Sequence, residues 1–131
     1  VDIEIEAIEQ SARFYRGLDN REYQMFSLGW IADYPDPEDF LDLLFHSQSR
    51  QNHTGYANPQ VDALLEKARL ETDQARRMEL YQQAEQIIVD DAPWIPLYHG
   101  SEYTLIKPYV RGLEVSPLGV YRLRKAYLER D

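Results

Sequence analysis

The sequence contains no cysteine. Disulfides, a thiol nucleophile and thiolate-bound metals are thereby excluded, while the redox compartment stays open. Long apolar runs are missing too: none approaches the roughly 20 residues of a membrane-spanning helix. Basic residues are the minority, 14 Lys and Arg against 23 Asp and Glu, so the net charge is −9. A chain of this charge repels a phosphate backbone, and nucleic acid is not expected as a partner. The densest basic cluster, Arg122, Arg124 and Lys125, reads as solvated surface. No phosphate loop, nucleotide fingerprint or nucleophile elbow occurs, and no cofactor is expected. The opening residues have neither the basic start nor the apolar block of a signal peptide. They read as strand from the first residue, as though taken from within a longer chain.

What is present suits a globular α/β chain. There are 131 residues, 44% hydrophobic and 28% charged, enough to bury a core without a staple. Val1, Ile3 and Ile5 alternate with acids, the period of a half-buried strand. Glu9 to Leu18 reads as a short helix closed by Gly17 or the Asp19–Asn20 turn. Glu22 to Trp30 reads as a second strand, and strand–helix–strand units usually cross over right-handed into a parallel sheet. Pro35 and Pro37 break helix before them. A helix over Asp36 to Phe45 follows, with Phe40, Leu41 and Leu44 on one face. His46 to Ala57 reads as a polar, solvated loop. Asn58 caps a helix with Pro59 at its first position and Val61, Leu64, Leu65 and Ala68 at helical spacing. A second helix runs from near Asp73 to near Asp91, with Leu80, Tyr81, Ala84, Ile87 and Ile88 as its stripe. Beyond Pro93, residues 94–98 and 103–106 read as extended, residues 107–117 as turns.

The densest polar cluster is Asp33, Asp36, Glu38, Asp39 and Asp42. Its spacing is not that of a calcium loop. A carboxylate pair for acid–base hydrolysis lacks any accompanying nucleophile or oxyanion motif. Asp36, Glu38 and Asp39 fall in the first turn of the expected helix, where acids favour the dipole. Asp33 remains, just past the carboxyl end of a strand and between Trp30 and Tyr34. A carboxylate there suits a cationic group, with cation–π attraction from the rings. A surface Asp capping a turn explains it equally well. His46, His53 and His99 lack the spacing of a helical metal pair, and no metal site is expected.

The stretch Ser27-Leu28-Gly29-Trp30-Ile31-Ala32-Asp33-Tyr34-Pro35-Asp36-Pro37, then Phe40-Leu41, resembles the hallmark of the peptide-type (family 5) solute-binding proteins of ABC importers. Tyr56-Ala57-Asn58-Pro59 with Val61-Asp62-Ala63-Leu64-Leu65 is similar to a second block. Arg76-Arg77 with Tyr81, Ala84-Glu85 and Ile87-Ile88 is similar to a third. Ala92-Pro93 with Ile95-Pro96-Leu97-Tyr98 resembles a fourth. Four blocks in order cover nearly the whole chain.

The resemblance implies part of a two-lobed periplasmic-binding-protein fold of type II: strand–helix–strand, a helix pair, then hinge-crossing strands. Residues 1–94 would belong to the C-terminal lobe, and residues 95–131 would cross the hinge and return to the first lobe. It implies a non-enzymatic receptor outside the cytoplasm, periplasmic or held to the membrane as a lipoprotein, that delivers peptides to a permease. Asp33 would hold the peptide amine. Trp30 would line a side-chain pocket, with Tyr34 beside Asp33 and the backbone around Gly29 and Ile31 pairing with the peptide. Ser27 departs from the basic residue that some oligopeptide receptors carry there. Nickel, haem and oligosaccharide receptors share the family, so a sugar or metal chelate is the alternative solute. An acidic metal-dependent hydrolase and a helix-pair interaction module are the readings from other classes. Apolar surface left open on such a piece would favour self-association.

Overall fold

The computed structural model describes residues 2–129. Four helices occupy the first two thirds: α1 (Ser11–Asp19), α2 (Glu38–Phe45), α3 (Pro59–Leu70) and α4 (Gln74–Asp91). Four two-residue strands follow: β1 (Val110–Arg111), β2 (Glu114–Val115), β3 (Tyr121–Arg122) and β4 (Tyr127–Leu128). β1 pairs antiparallel with β4, and β2 with β3. Gly112 and Gly119 turn the chain beside these ladders with positive φ, which glycine adopts without steric cost.

The helix ends follow local chemistry. The Asn58 side chain accepts the Gln60 N–H at 3.0 Å, and Pro59 takes the first helical position. The Asp73 carboxylate accepts the Arg76 N–H at 2.9 Å. Both caps satisfy backbone donors that the first helical turn leaves open. The α4 helix stops at Ala92, whose backbone is left-handed, just before Pro93. Gly17 lies inside α1, which ends at Asp19 and Asn20. A Cβ at Gly17 would meet the Tyr23 ring, so this glycine serves close packing of the chain that follows α1.

The core lies where α2, α3 and α4 meet. Leu44, Phe45, Val61, Leu65, Ala68, Tyr81, Ala84 and Ile88 form one buried cluster, against which Trp30, Leu41, Tyr56, Leu80 and Trp94 pack. The Phe45 ring lies 4.9 Å from Trp94 and 6.2 Å, edge-on, from Tyr56. The three-residue link between α3 and α4 turns the second helix back along the first. Among the described residues no helix packs against either small ladder.

Three local expectations are corrected. The segments 2–8, 22–30 and 103–106 enter no ladder. A strand needs a hydrogen-bonded neighbour, and none is placed beside them among the described residues. Ile3 and Ile5 are exposed accordingly. The alternation survives from Phe26 to Asp33: Phe26, Leu28, Trp30 and Ala32 are half-buried, while Ser27, Gly29, Ile31 and Asp33 are exposed. Second, Phe40 is exposed, and the inner side of α2 carries the buried acids Asp39 and Asp42 beside Leu44 and Phe45. Third, the 46–57 loop is not simply solvated. His46 and Asn52 are buried, and the Asn52 amide donates to the His46 and Tyr56 carbonyls at 3.2 and 2.7 Å.

Leu65 is fully buried and Leu70, on the same helix, is exposed. Leu65→Ala should cost about 2–5 kcal/mol, and Leu70→Ala should stay within about 0.5 kcal/mol. Urea denaturation of both variants measures the difference.

Candidate functional site

The acidic cluster resolves residue by residue. Asp36 meets Arg77 of α4 through two hydrogen bonds of 2.7 and 2.8 Å and also accepts the Glu38 N–H at 2.9 Å. The guanidinium donates onward to the Tyr81 hydroxyl at 3.1 Å and lies over the Tyr81 ring. The Arg77 hydrogen bonds hold the Asp36 carboxyl below the ordinary carboxylate range, and the same pair raises Arg77. Asp42, almost fully buried, is gripped by the Arg69 guanidinium of α3. Glu38 accepts the Tyr34 hydroxyl at 3.0 Å; burial and then this bond push the Tyr34 phenol up to about 12.

Asp39 is wholly buried. Its Oδ2 accepts the Trp30 indole N–H at 3.1 Å and the Asp33 backbone N–H at 3.0 Å. It thus ties α2 to the segment ahead of it. Trp30 packs its ring against the core, so the indole is fixed by both packing and hydrogen bonding.

Asp33 is the remainder. Its side chain is exposed, and no hydrogen bond or ion pair reaches its carboxylate among the described residues. Gly29 and Ile31 are exposed on the same side of the alternating segment, and nothing lies within 4 Å of where a Gly29 Cβ would stand. The five residues Gly29, Trp30, Ile31, Asp33 and Tyr34 therefore share one stretch. Trp30 turns its indole N–H to Asp39, and Tyr34 its hydroxyl to Glu38, so neither ring's polar edge is free. A groove beside α2, lined by Glu38, Asp42, His46 and Arg69 among others, does not include Asp33. No group of three or more potential metal ligands forms among the described residues.

Several contributors lie outside the sequence reading. Asp91 accepts the Tyr56 hydroxyl at 2.6 Å and the Asn58 amide at 2.8 Å, binding the end of α4 to the start of α3. Burial first, then Asp91, pushes the Tyr56 phenol up to about 12. Arg69 and Arg77 supply the cations that pair Asp42 and Asp36. Arg77 stands in the third block of the resemblance, which names no partner for it, and the only signal of Arg69 is its position on a helix face.

No family model matches the chain. It is 31% identical over 129 residues to the oligopeptide-binding protein OppA of Bacillus subtilis strain 168, covering 98% of this chain and 24% of that protein. It is 43% identical over 91 residues to the probable deoxycholate-binding periplasmic protein YgiS of Escherichia coli K12, covering 70% of this chain and 17% of that one. Among solved structures it resembles the ABC transporter-associated periplasmic binding protein DppA from Helicobacter pylori in complex with the peptide STSA. That match has a TM-score of 0.76 and 31% identity, and covers 98% of this chain and 26% of the other. The chain thus spans about a quarter of the length of OppA and DppA. It belongs to the peptide-type (family 5) solute-binding proteins and has the fold of the corresponding part of a periplasmic binding protein.

The Asp36–Arg77 pair gives a pH signature. Because the folded carboxyl titrates below its ordinary value, its contribution is complete above that value and is lost as pH falls through the folded one. Arg77→Leu should cost about 1 kcal/mol at neutral pH, the upper end for a part-exposed pair. It should also flatten the stability loss on acidification below about pH 4. Urea melts across that window, on both proteins, check this.

Proposed function

We propose that this chain supplies part of the solute-binding face of an extracytoplasmic receptor serving an ABC importer, and that the solute is a di- or oligopeptide whose amine is received by Asp33. One observation carries the reading: within the five-acid cluster, the other four side chains have partners, and the Asp33 carboxylate is exposed and unpaired among the described residues. An ammonium reaching that carboxylate forms a charge-assisted hydrogen bond, the stronger kind. The exposed backbone at Gly29 and Ile31 is available to pair with an extended peptide, a form of strand addition that tolerates many side chains.

The names of the relatives supply the setting, since they describe peptide-binding and periplasmic proteins. A receptor of this kind binds and delivers; it does no chemistry on its solute. Its further partner would be the importer's permease. No described helix is long and apolar enough to cross a membrane, and lipid attachment remains part of the proposal. Residues 1–94 would sit in one lobe, with residues 95–131 crossing the hinge. Exposed apolar side chains from Ile95 to Ile106 suit burial against another part of the receptor or self-association. Solute bridging two lobes would favour the closed state, because only that state offers both sets of contacts. The relative named for deoxycholate, a solute with no amine, favours a second reading in which Asp33 is not an anchor.

Calorimetric titration of short peptides into the intact receptor that carries this chain tests the anchor. N-acetylation of the peptide and Asp33→Ala should each weaken binding by about 1.5–3 kcal/mol, the value of a hydrogen bond to a charged group, and the two losses should not add. If neither change matters, the amine reading fails and the second reading stands.

A further inference from the structure

Asp39 is a carboxylate with no exposed surface, and burying such a group is costly unless donors compensate it. Two donors converge on its Oδ2, the Trp30 indole N–H at 3.1 Å and the Asp33 backbone N–H at 3.0 Å. Its Oδ1 is buried with no partner, so the group is not placed to satisfy itself fully. Its position in the first turn of α2 favours the negative charge. That position does not explain why both bonds go to one short segment six to nine residues earlier.

We infer that Asp39 is a positioning residue for the Asp33 carboxylate. By holding the peptide N–H of Asp33, Asp39 fixes the backbone from which that side chain projects. By holding the Trp30 indole, it fixes the same segment three residues earlier. Two clamps on one segment restrict both its translation and its twist. The exposed Asp33 side chain is thus free to meet a solute, while its backbone is anchored to a helix that α3 and α4 hold through Arg69 and Arg77. Asp39 itself is buried and touches no solute. This inference rests on the proposed role of Asp33 as the amine anchor.

The test is the ratio of affinities for a free-amine tripeptide and its N-acetylated form, measured calorimetrically in the intact receptor. A loss of folded protein lowers both affinities together and leaves their ratio unchanged, so the ratio reports amine recognition alone. Asp39→Leu keeps the forked heavy-atom skeleton and removes the acceptor. Asp39→Asn keeps an acceptor oxygen and removes the charge. The inference expects Asp39→Leu to cut the free-over-acetylated preference by about tenfold or more, the scale of losing an orienting partner at other sites. It expects Asp39→Asn to keep most of it. Asp39→Ala serves as the second acceptor-free variant should the leucine protein not fold. A preference unchanged in the acceptor-free variants while Asp33→Ala abolishes it overturns the inference and leaves the Asp33 anchor standing. An equal loss in Asp39→Asn overturns it in favour of a purely electrostatic role. A wild-type ratio near one removes the anchor, and the inference falls with it.

Discussion

Three acids set three residues apart along α2 and its approach tie that helix to three other parts of the described fold. Asp36 reaches Arg77 on α4, Asp42 reaches Arg69 on α3, and Asp39 takes two N–H groups from the segment that precedes the helix. That spacing places the three on one side of the helix. An eight-residue helix is too short to be stable alone. Its place in the fold depends on these contacts and on the apolar packing of Leu44 and Phe45. Each acid addresses a different element, so losing one partner loosens a different joint.

That arrangement also separates two jobs within one acidic cluster. The buried and paired acids fix a frame, and Asp33 is presented from it unpaired. Charge pairing inside a partly dry environment is strong when donors are fully supplied and costly when they are not. The frame acids draw donors from the chain itself, Asp39 through Oδ2 alone, whereas the Asp33 carboxylate has its counterpart supplied from outside in the proposed function. The aromatic neighbours of Asp33 also tie into the frame through their polar edges. Trp30 stiffens the frame through Asp39, and Tyr34 turns its hydroxyl to Glu38.

Sequence patterns reveal the helices well because their signals are local. Asn58 and Asp73 cap helices whose first donors lie two or three residues away, and the stripes of α3 and α4 repeat at helical spacing. The family resemblance was legible for the same reason, in blocks of contiguous residues. Pairing at long range was not. Arg69 stands 27 positions after Asp42, and Arg77 stands 41 after Asp36, and no local pattern marks such partners. The dipole explanation for Asp36 and Asp39 was sufficient by itself, so it concealed their second role. The polar composition of residues 46–57 likewise concealed a buried Asn52, whose amide replaces water for two carbonyls. The alternation from Phe26 to Asp33 was readable, but whether a ladder forms depends on a neighbour that alternation does not specify.

The most direct test is a crystal structure of the intact receptor with a bound tripeptide. The account predicts the peptide's ammonium nitrogen at about 2.7–2.9 Å from an Asp33 carboxylate oxygen, with Asp39 still holding Trp30 and the Asp33 N–H. A bound peptide whose amine lies elsewhere, with Asp33 facing only water, would contradict it.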